Sequence, residues 1–335
     1  MPTMKAILVR SAGADFELIH REIPEPREHE VLLKVEACGI CHGDALLKEG
    51  RFPGLSYPRV PGHEVVGTIA KLGSSVTTWK LGERVGVGWH GGHCCYCKAC
   101  RKGDHGACPD HVVTGLSMDG GYAEYMIGRA EAMVAIPDEL SSVEAAPLLC
   151  AGSTVLGALR HAGAEAGDLV AIQGMGGLGH LGVQFADKLG CKTVAISRGK
   201  EKEALAFKLG ADAYIDTNET DAAKQLQVMG GAHTIICTAP SGKAMSSLIG
   251  GLAAGGKMVI VAASPEPMTV IPFAILGKKS ISGWVGGSMQ QSLDFAVHGK
   301  ILPMIETFPL ERAAEAFEKM MTAKVHFRAV LKMES

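Results

Sequence analysis

Cysteines, a histidine and a run of glycines carry the chemistry in this sequence. Cys94-x2-Cys97-x2-Cys100-x7-Cys108 sets four thiols in one short loop, enough to close a tetrahedral zinc–sulfur site and leave no position for a substrate. A closed site of that kind orders its loop and contributes stability, with no part in a reaction. Cys95 falls outside the spacing. A second set is dispersed: Cys41, His63 and Cys150 lie far apart in the chain. Three nitrogen or sulfur ligands leave the fourth position of zinc for water or a substrate oxygen, which the metal polarises. Taken singly, each residue also fits a plainer reading, as a buried cysteine or a hydrogen-bonded core histidine.

The third feature uses backbone. The apolar run of residues 168–173 breaks into Gly174-Met-Gly176-Gly177-Leu178-Gly179 and resumes as an amphipathic stretch to Gly190. It reads as strand, turn and helix, and a second strand follows at 192–197. Gly174 permits the tight bend, Gly176 lets a pyrophosphate approach the backbone, and Gly179 lets helix and strand pack closely. The N–H groups that open the helix beyond Gly177 and Leu178 then face negative charge.

Other elements must hold these groups in place. Residues 5–9 and 31–37 read as strands, separated by the turn segment Ile23-Pro-Glu-Pro26, and further strands are expected at 65–72, 84–87 and 123–127. A short helix is expected at 45–49, before Gly50. Ser141-Ser-Val-Glu144 has the form of a capping box, so a helix should run from there through Cys150 to His161. From Asp168 strands and helices alternate: strands at 192–197, 213–215, 234–237 and 257–262, helices at 200–209 and 241–252. That texture means an α/β fold with a parallel sheet covered by helices on both faces. Helices near 290–298 and 309–321 and a strand at 327–332 close the chain.

At 335 residues the chain has room for two domains. A formal net charge of −2 and the lack of a basic, aromatic-interleaved cluster exclude a nucleic-acid partner. No uninterrupted apolar run approaches the ~18 residues of a membrane span, and the apolar start is too short for a signal peptide. A soluble, cytoplasmic protein without a membrane partner is expected. Ten cysteines in a chain of this size suit metal-bound thiolate better than a disulfide framework.

In chain order, Cys41-x2-Asp44, Gly62-His63-Glu64, the four-cysteine loop, Cys150-Ala-Gly152 and Gly174-x-Gly-Gly-x-Gly179 resemble the zinc-dependent medium-chain alcohol dehydrogenases, over residues 31–331. The resemblance implies a GroES-like β-rich catalytic domain from residues 1–150 and 288–335, around an inserted Rossmann domain of residues 151–287. It implies two Zn2+ ions per chain, one held by Cys94, Cys97, Cys100 and Cys108. The other would be held by Cys41, His63 and Cys150, with Glu64 entering or leaving its shell and Asp44 orienting His63. His42 and Arg328 match groups that reach the cofactor phosphates, and Thr154 matches a residue beside the nicotinamide. Phe52 and Trp89 match the walls of an apolar substrate pocket, and read equally as core aromatics. The short stretch between Cys108 and Met126 has no room for the loop that dimeric members carry, which implies a homotetramer. The implied reaction is reversible hydride transfer between NAD(P)(H) and small alcohols, aldehydes or ketones.

Two positions depart from the family pattern. Most members carry Ser or Thr two residues after the first zinc ligand, where its hydroxyl relays the alcohol proton; here Gly43 stands there. Water or His42 takes over the relay, or turnover is slow, or the missing bulk enlarges the pocket. The residue that reads the cofactor ribose, an acid in NAD enzymes, is here Ser197, followed by Arg198 and, close by, Lys202. Without the carboxylate a 2′-phosphate meets no repulsion, and Arg198 can grip it, so NADP is expected to be preferred, with NAD still possible through the Ser197 hydroxyl. Two rival readings stay open: a nucleotide-binding sensor that has lost efficient chemistry, favoured only by Gly43, and a zinc-free quinone or enone reductase, opposed by Cys41, His63 and Cys150 together.

Overall fold

The computed structural model describes residues 2–334. The chain divides into two compact units, with boundaries after Cys150 and after Leu302. The first unit is built on the long strand Glu30–Ile40, most of whose residues are buried. It pairs antiparallel with Val65–Leu72, with Tyr125–Arg129 and with Arg328–Lys332. Val65–Leu72 continues to Arg84–Val87 and then Met133–Ala135, and Arg328–Lys332 pairs in parallel with Ile305–Pro309. The last strand of the chain therefore completes a sheet that its early residues began. Leu33, Ile40, Val65, Ile69, Tyr122 and Leu331 belong to one apolar core in this unit.

The polar segment Phe16–Glu22, which the sequence reading left without an element, is a strand in register with Thr3–Val9, from Thr3 opposite Glu22 to Val9 opposite Phe16. Its Glu17, His20 and Arg21 hide the signal, and hairpin pairing supplies what composition does not. The short expected helix begins earlier, at His42, and runs to Lys48.

The second unit holds six parallel strands in the spatial order Ala213–Asp216, Lys192–Ser197, Leu169–Gln173, Ala232–Cys237, Leu252–Ile260, Ser280–Gly283. Numbered within the unit this is 3-2-1-4-5-6, the doubly wound order whose sheet reverses beside its first strand. All five residues of Leu169–Gln173 are buried, as an apolar strand covered on both faces must be. The second boundary differs from the expected 287/288: the helix Met289–Gly299 lies with the second unit. Phe295 packs on Phe185 at 5.8 Å, and Gln184 Nε2 donates to the Leu302 carbonyl at 3.1 Å.

Among the described residues one helical stretch, Ser142–Ala162, is long and apolar enough by composition to cross a membrane, where the sequence reading found none. With 72% of its apolar window buried inside the protein, it is a core helix.

Candidate active site

Cys41 follows the strand Glu30–Ile40 and caps the helix His42–Lys48. Its extended backbone, φ −126° and ψ 156°, turns the chain from strand into helix. Asp44, in the first helical turn, accepts the Cys41 N–H through Oδ2 at 2.9 Å. The same oxygen accepts the Tyr122 hydroxyl at 2.9 Å, while Oδ1 accepts His63 Nδ1–H at 2.9 Å. Asp44 and His63 are 2% and 1% exposed. Three donors around one buried carboxylate fix a proton on Nδ1 and orient the ring. Nε2 is left buried and without a protein partner, and it is the atom offered to a ligand. Burial opposes charge on His63, but Asp44 and Cys41 hold its pKa well above the ordinary histidine value; a cation at Nε2 would displace that proton.

Cys150 is brought in from another direction. The capping box Ser141–Glu144 opens the helix Ser142–Pro147, and Ser142 Oγ donates to Glu36 at 2.5 Å. Glu36 also accepts the Thr68 hydroxyl, so one carboxylate ties this helix start to two strands of the sheet. Past Pro147 the regular helix gives way to a π-helical turn, Leu148–Gly152. A single wide turn of this sort re-aims side chains and recurs at functional sites. The sequence reading expected plain helix there.

Cys41, His63, Glu64 and Cys150 bring one ligand atom each to within 4.8 Å of one another. The Cys41 and Cys150 sulfurs are 3.8 Å apart. Two sulfurs bound at about 2.3 Å to a tetrahedral metal stand about 3.8 Å apart, whereas a disulfide would bring them to about 2.05 Å. Chemistry and spacing both fit zinc, and the unpartnered His63 Nε2 and Glu64 Oε2 face no competing donor. Glu64 is fully buried; burial pushes its carboxyl up to about 7, against the pull of Arg328. Glu64 Oε1 is ion-paired with Arg328, and a Cβ at Gly39 would overlap Oε2, so Gly39 makes room for the carboxylate. Arg328, expected at the cofactor pyrophosphate, is 3% exposed and engaged with Glu64. A phosphate contact would have to compete with that ion pair.

The four-cysteine loop closes in the same manner. Cys94, Cys97, Cys100 and Cys108 lie within 4.8 Å of one another, with sulfur separations of 3.9 Å for Cys94–Cys100, 3.5 Å for Cys97–Cys100 and 3.6 Å for Cys94–Cys108. The Cys97 and Cys100 N–H groups point at the sulfurs of Cys94 and Cys97, each at 3.4 Å, which favours thiolate. Exposed Cys95, at φ 65°, stays outside the tetrad.

Gly43 does not leave an empty volume beside this cluster. A Cβ there would fall 2.7 Å from His63 Cε1 and 3.0 Å from Trp89 Cζ3, so the expectation of an enlarged pocket at this position is corrected. Trp89 stands edge-to-face against His63, centroids 5.0 Å apart, and Phe52 stands edge-to-face against Trp89 at 6.0 Å. Both aromatics are half-buried, packed on a small apolar cluster. His42 is exposed.

In the second unit Gly174, at φ +96°, takes the bend after Leu169–Gln173. A Cβ at Gly179 would overlap the Gly174 carbonyl, whereas one at Gly176 would meet nothing within 4 Å. Gly176 therefore leaves open the space that a pyrophosphate needs, and the helix Gly179–Lys188 starts just beyond Gly177 and Leu178. Ser197 ends its strand opposite Asp216, whose Oδ1 accepts the Gly199 N–H at 2.7 Å. Arg198 is exposed. Lys202 Nζ donates to the Met175 carbonyl at 2.8 Å, which ties the second-strand loop to the glycine turn. Thr154 is buried in the helix Ser153–Ala162.

Residues 27–138 match the alcohol dehydrogenase GroES-like domain, and residues 177–298 match the zinc-binding dehydrogenase family. The alcohol dehydrogenase patD of Penicillium expansum is 45% identical over 336 residues, covering 99% of this chain and 98% of that protein. The chain belongs to the zinc-type medium-chain alcohol dehydrogenase family. Among solved structures, a cinnamyl alcohol dehydrogenase of Sorghum bicolor has a TM-score of 0.89 at 33% identity, covering 99% of this chain and 98% of that one. A zinc-binding dehydrogenase from Sinorhizobium meliloti, bound to NADP, has a TM-score of 0.89 at 28% identity, covering 99% and 100%. Within this alcohol dehydrogenase fold the sequence reading missed Tyr122, Glu36 and Gly39. Only Tyr122 carried a hint, since a buried tyrosine hydroxyl needs a partner.

Proposed function

We propose that this oxidoreductase is a zinc-dependent, NADP(H)-preferring alcohol dehydrogenase that interconverts primary or secondary alcohols with aldehydes or ketones. The reading rests on the convergence of one ligand atom each from Cys41, His63, Glu64 and Cys150 within 4.8 Å. Bound there, zinc supplies a Lewis acid for the substrate oxygen, and a bound nicotinamide supplies or accepts the hydride. The chain's own residues do the rest. Asp44 keeps the Nδ1 proton in place, so Nε2 faces the ligand position. Arg328 holds one oxygen of Glu64, leaving Oε2 to occupy or vacate the fourth position. Trp89 and Phe52 form an apolar wall that suits an aromatic or aliphatic substrate.

Gly43 offers no hydroxyl, so the alcohol proton leaves through water or through exposed His42. Ser197, standing where an acid would repel a 2′-phosphate, and Arg198, which can grip one, favour NADP, and the NADP-bound relative supports the same choice. A homotetramer and two zinc ions per chain complete the reading. The test is the initial rate of NADPH and NADH oxidation with benzaldehyde, using protein purified with its zinc intact. Turnover that a chelator abolishes, faster with NADPH, is expected; no turnover with either cofactor, in protein that still binds nucleotide and zinc, refutes it.

A further inference from the structure

Beside the four-cysteine loop the first unit gathers histidines that neither zinc site uses. His90 lies in the strand His90–Gly92, which pairs with Val112–Val113. His93 immediately precedes Cys94, and His105 opens the 3-10 turn His105–Ala107. One ring nitrogen from each of His90, His93 and His105 lies within 4.8 Å of the other two. His90 Nε2 and His93 Nδ1 are only 2.8 Å apart and share a hydrogen bond. The His93 and His105 rings stack at 3.9 Å, and His111 stacks on His90 at 5.1 Å.

Histidines brought together in this way repel once protonated. Burial, with the nearby His111, His93 and His105, lowers His90 to about 4. A neutral imidazole offers a lone pair, and His90 keeps one for a cation at ordinary pH. Arg129 opposes a cation here, but Glu131, 3.9 Å from Arg129, offsets it. Nitrogens bound at about 2.0–2.1 Å to a tetrahedral metal stand about 3.4 Å apart; here one pair stands at 2.8 Å and the three lie within 4.8 Å of one another, so His105 must turn out of its stack on His93 to aim its lone pair at a shared ion. The adjustment falls on His105, which is not buried and sits on a short turn.

We propose that His90, His93 and His105 form a third transition-metal site, an all-imidazole site suited to Zn2+, Cu2+ or Ni2+ and distinct from the catalytic cluster and the four-cysteine loop. The metal replaces the hydrogen bond between His90 and His93 and pins the turn at His105 to the strand His90–Gly92. The site has no substrate role; it is a second clasp on the loop that carries the four cysteines.

The test is a Co2+ titration of the zinc-replete holoprotein, followed by calorimetry and visible absorption. One further binding event is expected, with a tetrahedral cobalt spectrum that lacks the thiolate charge-transfer band of cobalt exchanged into either cysteine site. His105→Asn and, independently, His90→Gln should weaken it by at least the roughly 10- to 100-fold that losing an outer-shell partner costs. Alcohol dehydrogenase activity should not change, so the outcome is separable from the reading of the catalytic site. Absence of a further event overturns the proposal, as does an event with thiolate bands or one that His105→Asn leaves intact. Because His105 is not buried, its variant decides the matter even where His90→Gln disturbs folding.

Discussion

Asp44→Asn separates a carboxylate that merely fills space from one that sets a tautomer. Asp44 Oδ2 accepts both the Cys41 N–H and the Tyr122 hydroxyl, and Oδ1 accepts His63 Nδ1–H, each at 2.9 Å. Asparagine keeps the shape but has one acceptor end and one donor end. With its oxygen on the Cys41 and Tyr122 side, its NH2 faces His63 Nδ1 and drives the proton to Nε2, the atom the ligand needs. With the amide reversed, the NH2 opposes the Cys41 N–H inside a site that is 2% exposed. Neither orientation satisfies all three partners. Losing such an orienting group costs roughly 10- to 100-fold in metal affinity or activity, about 1.4–2.7 kcal/mol. The expected result is a folded variant with reduced zinc retention against a chelator and kcat/KM for benzaldehyde lowered by that factor. Circular dichroism checks the fold. Zinc retention and kcat/KM both within about twofold of the native protein would refute the tautomer argument.

Cys97→Ser opens the closed tetrad, so one equivalent of zinc should be lost with on the order of 3 kcal/mol of stability, read by metal analysis and thermal unfolding; undiminished zinc content counts against it. Arg198→Ala should lower the NADPH to NADH ratio of kcat/KM by roughly 10- to 100-fold, the worth of about 1.5–3 kcal/mol in charge-assisted hydrogen bonds, and an unchanged ratio sinks the assignment. Gly43→Ser should destabilise by about 1–3 kcal/mol through overpacking, because its Cβ falls 2.7 Å from His63 Cε1; a melting temperature equal to or above the native one contradicts this.

What could be read from the sequence depends on how local each constraint is. The four cysteines declare themselves because all four thiols of the proposed closed site fall within one loop, and the spacing alone carries the geometry. The glycine turn is legible for the same reason, since strand, bend and helix follow one another. Cys41, His63 and Cys150 could be joined only through their order along a familiar pattern, because strand pairing between Glu30–Ile40 and Val65–Leu72 and the helix from Ser142 bring them together. Glu36 was illegible, and Tyr122 carried no more than the hint of a buried hydroxyl. Tyr122 holds Asp44, and Glu36 holds Ser142 and Thr68, by hydrogen bonds across the fold, and no periodicity marks such bonds. The π-helical turn at Cys150 was also hidden, because helix propensity does not distinguish one wide turn from regular helix.

Gly43 shows why a missing side chain cannot be interpreted from sequence. Read alone, glycine beside a zinc ligand suggests both a lost hydroxyl and an opened pocket. The structure supports only the first, because the Trp89 ring edge and the His63 ring already occupy the space a Cβ would take. Glycine at 43 and tryptophan at 89 are therefore one steric solution, since relieving the clash of a serine means moving either a ligand held by Asp44 or an aromatic ring with no such tether. Trp89→Phe removes the Cζ3 edge that stands 3.0 Å from that Cβ. The two substitutions should then couple, with the double variant Gly43→Ser/Trp89→Phe more stable than the sum of the single changes by about 0.5–3 kcal/mol. Strict additivity would mean that His63, and not Trp89, absorbs the strain, and the serine would then disturb the proposed zinc ligand directly.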